Sequence, residues 1–145
     1  MIIVSVVVTL VCLGAAYEGF RLGQWRMGIL ALALPVVCGV FSIRGYSVTP
    51  EAILVHRLFW STRVPLAGLQ SAEFKPGVMS GSIRFGNGGF YSITGIYWNK
   101  LLGRYRAFVT DLRHTVVLRF TGRTVVVSPA GAEEFVRECR MMNVE

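Results

Sequence analysis

The stretch RYRAFVTDLRHTVVLRFTGRTVVVSP, residues 104–129, decides the fold. From 104 to 110 the chain alternates: Tyr105, Ala107 and Val109 fall on one face, and Arg104, Arg106 and Thr110 on the other. Period two marks a strand with one buried face. Residues 115–121 repeat the pattern, with Val116, Leu118 and Phe120 opposed to Arg119 and Thr121. Gly122-Arg123 is a tight connection into 124–127, so the last two strands read as a hairpin. Ser128-Pro129 then reads as a helix start, Ser128 as N-cap and Pro129 at the first helical position. A helix is expected over about 129–142. Glu133 and Glu134 stand early in it, where its dipole favours anions. Ala132, Phe135, Val136, Cys139 and Met142 share its apolar face.

Upstream of this stretch the chain continues to read as strands. Residues 45–49 are short and extended, and Thr49-Pro50-Glu51-Ala52 is a turn with Pro50 where its fixed φ helps. Residues 53–60 give a long strand signal and Ser61-Thr62 turns it back. Residues 63–66 and 69–74 follow, separated by Ala67-Gly68. About seven antiparallel strands result, and the terminal helix is expected to plug the partly open barrel and cover its edges.

The first 44 residues are physically different. Residues 1–17 and 27–43 carry no charge, and Ser5, Thr9 and Ser42 are their only polar side chains. Each run has 17 residues, at the lower limit of about 17–25 for a spanning helix. The segment therefore reads as a transmembrane helical hairpin, with spans at about 1–17 and 27–43 and a short connector. Pro35 predicts a kink in the second span. The basic n-region of a cleaved signal peptide is missing. Arg44, Arg57 and Arg63 outnumber Arg21 and Arg26 of the connector, so the positive-inside rule places both ends of the hairpin in the cytosol. Residues 45–145 hold 12 Lys/Arg and 7 Asp/Glu, the polarity of an ordinary globular domain.

The formal charge of +7 does not imply nucleic acid, because the basic residues are scattered rather than blocked. Cys12, Cys38 and Cys139 have no metal-ligand spacing and read as small buried hydrophobes. His56 and His114 are the only histidines. His114 lies near Asp111, but no Ser or Cys has a nucleophile's surroundings. No catalytic, cofactor or metal site is expected.

Two apolar helices followed by this β-rich unit resemble bacterial pleckstrin-homology-like (PH) domain membrane proteins. The resemblance rests on Tyr46-Ser47-Val48-Thr49-Pro50-Glu51, Ile83-Arg84-Phe85-Gly86-Asn87-Gly88-Gly89-Phe90, Gly95-Ile96-Tyr97-Trp98-Asn99, Leu102-Gly103-Arg104-Tyr105, Ala107-Phe108-Val109-Thr110-Asp111, and Val127-Ser128-Pro129 before Glu134-Phe135. It implies a seven-stranded PH-like barrel with a C-terminal helix, no enzyme activity and no assigned ligand. With the hairpin it implies an integral protein of the bacterial inner membrane, its PH-like domain cytoplasmic. Eukaryotic relatives that bind phosphoinositides place several Lys/Arg in the first hairpin loop; here that loop is Thr49-Pro50-Glu51-Ala52.

Residues 77–103 hold seven of the 16 glycines and break the even strand spacing. Asn87-Gly88 favours a positive-φ turn, and the segment matches no phosphate-binding or dinucleotide fingerprint. Phe85, Phe90, Tyr91, Tyr97 and Trp98 cluster there, followed by Lys100, Arg104 and Arg106. Aromatics beside cations suit a membrane interface. Arg84, Asn87, Tyr97, Trp98, Lys100, Arg104 and Arg106 are therefore the candidate contact residues. The expected function is a non-enzymatic, membrane-anchored binding or scaffold module. Its partners would be the lipid bilayer and a protein, or a second copy of itself, recruited or stabilised there. The alternative is a lipid- or headgroup-sensing module using the basic–aromatic loop 77–106. A membrane enzyme lacks convergent polar groups.

Overall fold

A computed structural model describes residues 2–90 and 92–142, the side chains of residues 2, 4 and 84–90 excepted. After two helices, nine strands and one further helix follow in chain order. The first sheet is an antiparallel meander of β1 (Gly45–Val48), β2 (Ala52–His56) and β3 (Ser61–Pro65). The second sheet contains β4 (Leu69–Phe74), β5 (Ile83–Phe90), β6 (Ser92–Asn99), β7 (Gly103–Val109), β8 (Val116–Phe120) and β9 (Arg123–Val127), in the order β4-β8-β9-β7-β6-β5.

The two sheets stack face to face, and this corrects the expected single barrel of about seven antiparallel strands. Ile53, Val55 and Val64 of the first sheet share a core with Phe108, Val116, Leu118, Phe120, Val125 and Val127 of the second. One pairing is also not antiparallel: β9 lies parallel to β7, with Phe108 opposite Val127. The Ser128 hydroxyl fastens this junction. It accepts the Thr110 and Asp111 amides at 2.8 and 3.2 Å, beside the Tyr46 hydroxyl, which donates to the Phe108 carbonyl at 2.7 Å. Ser128 is thus tied to the end of β7 and is not a helix cap. The helix α3 (Ala132–Met142) begins later than expected.

The β8–β9 hairpin forms, but its two-residue turn is Thr121-Gly122 rather than Gly122-Arg123, because Arg123 already pairs with Phe120; Gly122 takes a φ of 82° that a side chain would strain. The central strands, however, are covered on both faces. Val117, Val126, Tyr105, Ala107 and Val109 form a second core with Val78 and Met79, which the chain folds back over that face. Strict alternation hid this, because a strand buried on both sides reads as a plain apolar run.

α3 presents Ala132, Phe135, Val136 and Cys139 to the inter-sheet core and lies against β1 and β4. Arg140 donates to the Ala72 carbonyl at 3.1 Å. One open side of the sandwich is thereby closed. On the opposite side, where residues of β3 and β7 line one cleft, no helix contributes to the lining among the described residues. Among the described residues the inter-sheet core contains none from β6 or β5, and Ile83, Ile96 and Trp98 are exposed.

α1 (Ile2–Arg21) and α2 (Trp25–Val40) form an antiparallel hairpin joined at Gly23-Gln24. Its seam is built of small residues, Ser5, Cys12, Ala16 and Gly19 on α1 and Gly28 on α2. A Cβ on Gly19 would stand 2.9 Å from the Gly28 nitrogen, so the backbones nearly touch. The outward faces are apolar, including Leu10, Val11, Leu30 and Val36. Among the described residues no helix is long and apolar enough to cross a membrane, which corrects the transmembrane hairpin, the integral inner-membrane placement and the orientation drawn from it. The cause is local. The last turn of α1 carries Glu18 and Arg21, paired at 3.3 Å, and α2 stops after 16 residues, about 24 Å against a hydrocarbon core of about 30 Å. The rest of the second apolar run turns into the sandwich, where Ile43 is buried in the core. α2 continues through Pro35 without a break.

Candidate functional site

The uncovered side of the sandwich carries the most distinctive side chains. Directly paired residues of neighbouring strands point the same way. In β6 and β7, Ile96 pairs with Arg106 and Trp98 with Arg104, so these four share a face with Phe108. Phe108 reaches under the first sheet and is buried, whereas Arg104, Arg106 and Trp98 lie beyond its edge and are exposed. Arg63 from β3 and Arg123 from the start of β9 complete a cleft of about 370 Å³ with Ile96 and Phe108 at its floor. Past Arg104 a further recess runs along Ile96, Tyr97 and Trp98.

Among the described residues, four arginines and no carboxylate line the cleft. Arg63 holds Glu51 at 3.2 Å, an exposed pair that a ligand can displace at little cost. Arg123 stacks on Phe120, 4.6 Å from the ring centre, and donates to the Pro65 carbonyl at 2.8 Å. Arg106 stacks on Phe108 at 5.0 Å. Among the described residues neither Arg104 nor Arg106 has a carboxylate within ion-pair distance. The surplus is felt next door: burial, and then repulsion from Arg106, push the Arg57 guanidinium below its usual range. Arginine suits such a place, because its planar fork grips carboxylates and phosphates in pairs of hydrogen bonds.

The structure separates the residues that the sequence grouped together. Arg104, Arg106 and Trp98 meet at the cleft. Tyr97, the neighbour of Trp98, points the other way and is only 2% exposed, stacked on Tyr105 with ring centres 5.9 Å apart. It is a core ring. Lys100 is exposed in the β6–β7 turn. Arg84 and Asn87 lie on β5, opposite Tyr97 and Thr94, and their side chains, like Tyr91, lie outside the described residues. The glycine- and aromatic-rich loop expected over 77–106 is instead the β5–β6–β7 meander, whose strands supply the cleft floor.

Sequence reasoning missed Arg63, Arg123 and Asn99. The buried Asn99 amide donates to the Val78 carbonyl at 2.9 Å and the Ser82 hydroxyl at 3.1 Å. Its oxygen accepts the Leu101 and Leu102 amides at 3.1 and 2.7 Å. This locks the turn from which β7 carries Arg104 into the cleft. Asn followed by Lys between two strand signals was the available hint, since Asn bonds readily to nearby backbone.

A larger cavity of about 650 Å³ sits between α3 and the β7–β8 connection, lined among others by Arg44, Asp111, His114, Ser128, Glu134 and Glu138. Asp111, His114 and Ser128 are already engaged by neighbouring groups. Asp111 takes the Arg113 amide and the His114 ring nitrogen, each at 2.9 Å, which holds its carboxyl below the usual range. Ser128 is occupied as an acceptor, so His114 and Asp111 have no activated nucleophile there. No group of three metal-ligating side chains occurs among the described residues.

A two-sheet β unit with a helix on one open side and a ligand-sized cleft on the other is the architecture of a binding module. Residues 44–142 match the family model described as Bacterial PH domain, and the chain belongs to that family. No curated protein and no solved structure matches it.

Proposed function

We propose that this Bacterial PH domain protein is a non-enzymatic module that recruits an acidic protein partner through the arginine cleft. The observation that carries the reading is the set Arg63, Arg104, Arg106 and Arg123 around an apolar floor, with no acid in the lining. Clustered cations on a partly enclosed surface speed the encounter with an anionic partner and select it by charge. Apolar Ile96 and Trp98 beside them provide contact area that charge alone does not.

The test is calorimetric titration of the full-length chain, kept monodisperse in a non-ionic detergent, with poly-L-glutamate at low and high salt. Binding that weakens with salt and falls at least tenfold in R104E/R106E, but not in the equally charged R113E/R137E, supports the cleft. Absence of binding at low salt, or equal losses in the two variants, overturns it. Binding to vesicles containing an anionic phospholipid, with none to polyglutamate, would also overturn the protein-partner reading and favour a headgroup.

A further inference from the structure

The cleft contains an unpaired strand edge, and its polarity can be read from the β2–β3 hairpin. The Arg57 amide donates to the Trp60 carbonyl at 2.8 Å, and the Leu66 amide to the Glu51 carbonyl at 3.0 Å. Antiparallel ladders alternate, so the residues between these two bonds point their backbone groups inward and outward in turn. His56 faces Ser61, Val55 faces Thr62, Leu54 faces Arg63 and Ile53 faces Val64. Thr62 and Val64 therefore bond to β2, while Ser61 and Arg63 aim both N–H and C=O away from it, Arg63 at the wall of the cleft. Pro65 is next in that series. It has no N–H, and its carbonyl already accepts Arg123. The free edge is thus one short stretch of four backbone groups, ended by a proline, and among the described residues β3 pairs only with β2.

We propose that the partner docks as an extended acidic segment that adds an antiparallel strand to the Ser61–Arg63 edge of β3, its inward side chains over Arg104 and Arg106. This deepens the cleft reading above and rests on it. The geometry favours a strand over a headgroup, because a headgroup would leave the four edge groups unused. In the added strand one residue would face Arg63 and the residue two positions along would face Ser61, each exchanging two backbone hydrogen bonds. The residues facing Thr62 and Val64 would point toward the second sheet, as Val64 itself does from within the core. Sheets stack about 10 Å apart, a gap that a carboxylate side chain and an arginine can bridge between them. The inward positions therefore call for Glu or Asp over Arg104 and Arg106. An apolar residue one repeat further would reach Ile96 and Trp98.

The test uses the full-length chain in non-ionic detergent and a labelled peptide of alternating Glu and Val, with fluorescence anisotropy as the readout. Glu inward places the Val amides on β3. N-methylation of the Val amides should weaken binding roughly tenfold or more, the loss of two backbone hydrogen bonds. N-methylation of the Glu amides should leave it within about threefold. Amide hydrogen exchange should show Ser61 and Arg63 newly protected when the peptide is bound. If binding is lost in R104E/R106E but is insensitive to both methylation patterns, with Ser61 and Arg63 unprotected, strand addition is overturned and the arginine cleft stands. If the peptide does not bind the wild-type chain at all, both readings fall.

Discussion

Replacing Asn99 by Ala should both destabilise the domain and loosen the cleft, although Asn99 lines neither pocket that Arg104 borders. The side chain is 4% exposed and makes four hydrogen bonds, two through its amide nitrogen and two through its oxygen. At about 0.5–1.5 kcal/mol each these give about 2–6 kcal/mol, and non-additivity within one side chain argues for the middle, about 3 kcal/mol. The Leu102 amide belongs to a buried residue, so water does not replace the lost partner freely. Urea unfolding followed by circular dichroism measures the change through the midpoint at constant slope. Asn99→Ala should also weaken polyglutamate binding, because the freed turn no longer fixes the start of β7. A loss of stability below about 0.5 kcal/mol, or full stability loss with unchanged binding, would refute this link between turn and cleft.

Phe135→Ala should cost about 3–5 kcal/mol by the same unfolding measurement, because the ring fills the core between α3 and the sheets and meets Tyr46 edge-on at 6.4 Å. Gly19→Val should splay the helical hairpin, since its Cβ would press on the Gly28 backbone; a spin-label distance between α1 and α2 should lengthen, with the β domain's amide spectrum unchanged. Burial, and then Glu138, push the Cys139 thiol up to about 12, so it should resist alkylation at pH 8 in the folded chain and react on unfolding. Burial raises the Tyr46 hydroxyl above its usual 10, so the folded state keeps a proton that the unfolded state gives up. The contribution of this hydroxyl should therefore be constant below about pH 10 and be lost above it, so the alkaline fall in stability should be shallower in Tyr46→Phe.

Much of the fold was legible where one face alone is buried. β7 reads correctly from Arg104 to Val109 because its arginines lie beyond the cover of the first sheet. β8 gave its position but not its surroundings, since Val117 is as deeply buried as Val116. The β5–β6 hairpin is not legible in the sequence because Gly86, Gly88, Gly89 and Gly95 supply no side-chain alternation, and only pairing with β7 makes the segment a sheet. The same period of two explains the split between Tyr97 and Trp98: adjacent strand residues face opposite ways, and a cluster in sequence is not a cluster in space. Arg63 and Arg123 are far apart in the chain and meet only through the stacking of two sheets, so no local pattern could unite them. The hairpin shows the reverse error. Two apolar runs of 17 residues looked sufficient to span a bilayer, but the end of the second was needed in the β core, where Ile43 sits.

The most direct test of the arginine cleft is a map of backbone amide shifts in the full-length chain as the acidic peptide is added. The cleft reading predicts that the perturbed amides concentrate in residues 61–64, 96–98, 104–106 and 123–125. Perturbations centred on Asp111, His114 and the start of α3, or spread evenly over the basic surface, would contradict it.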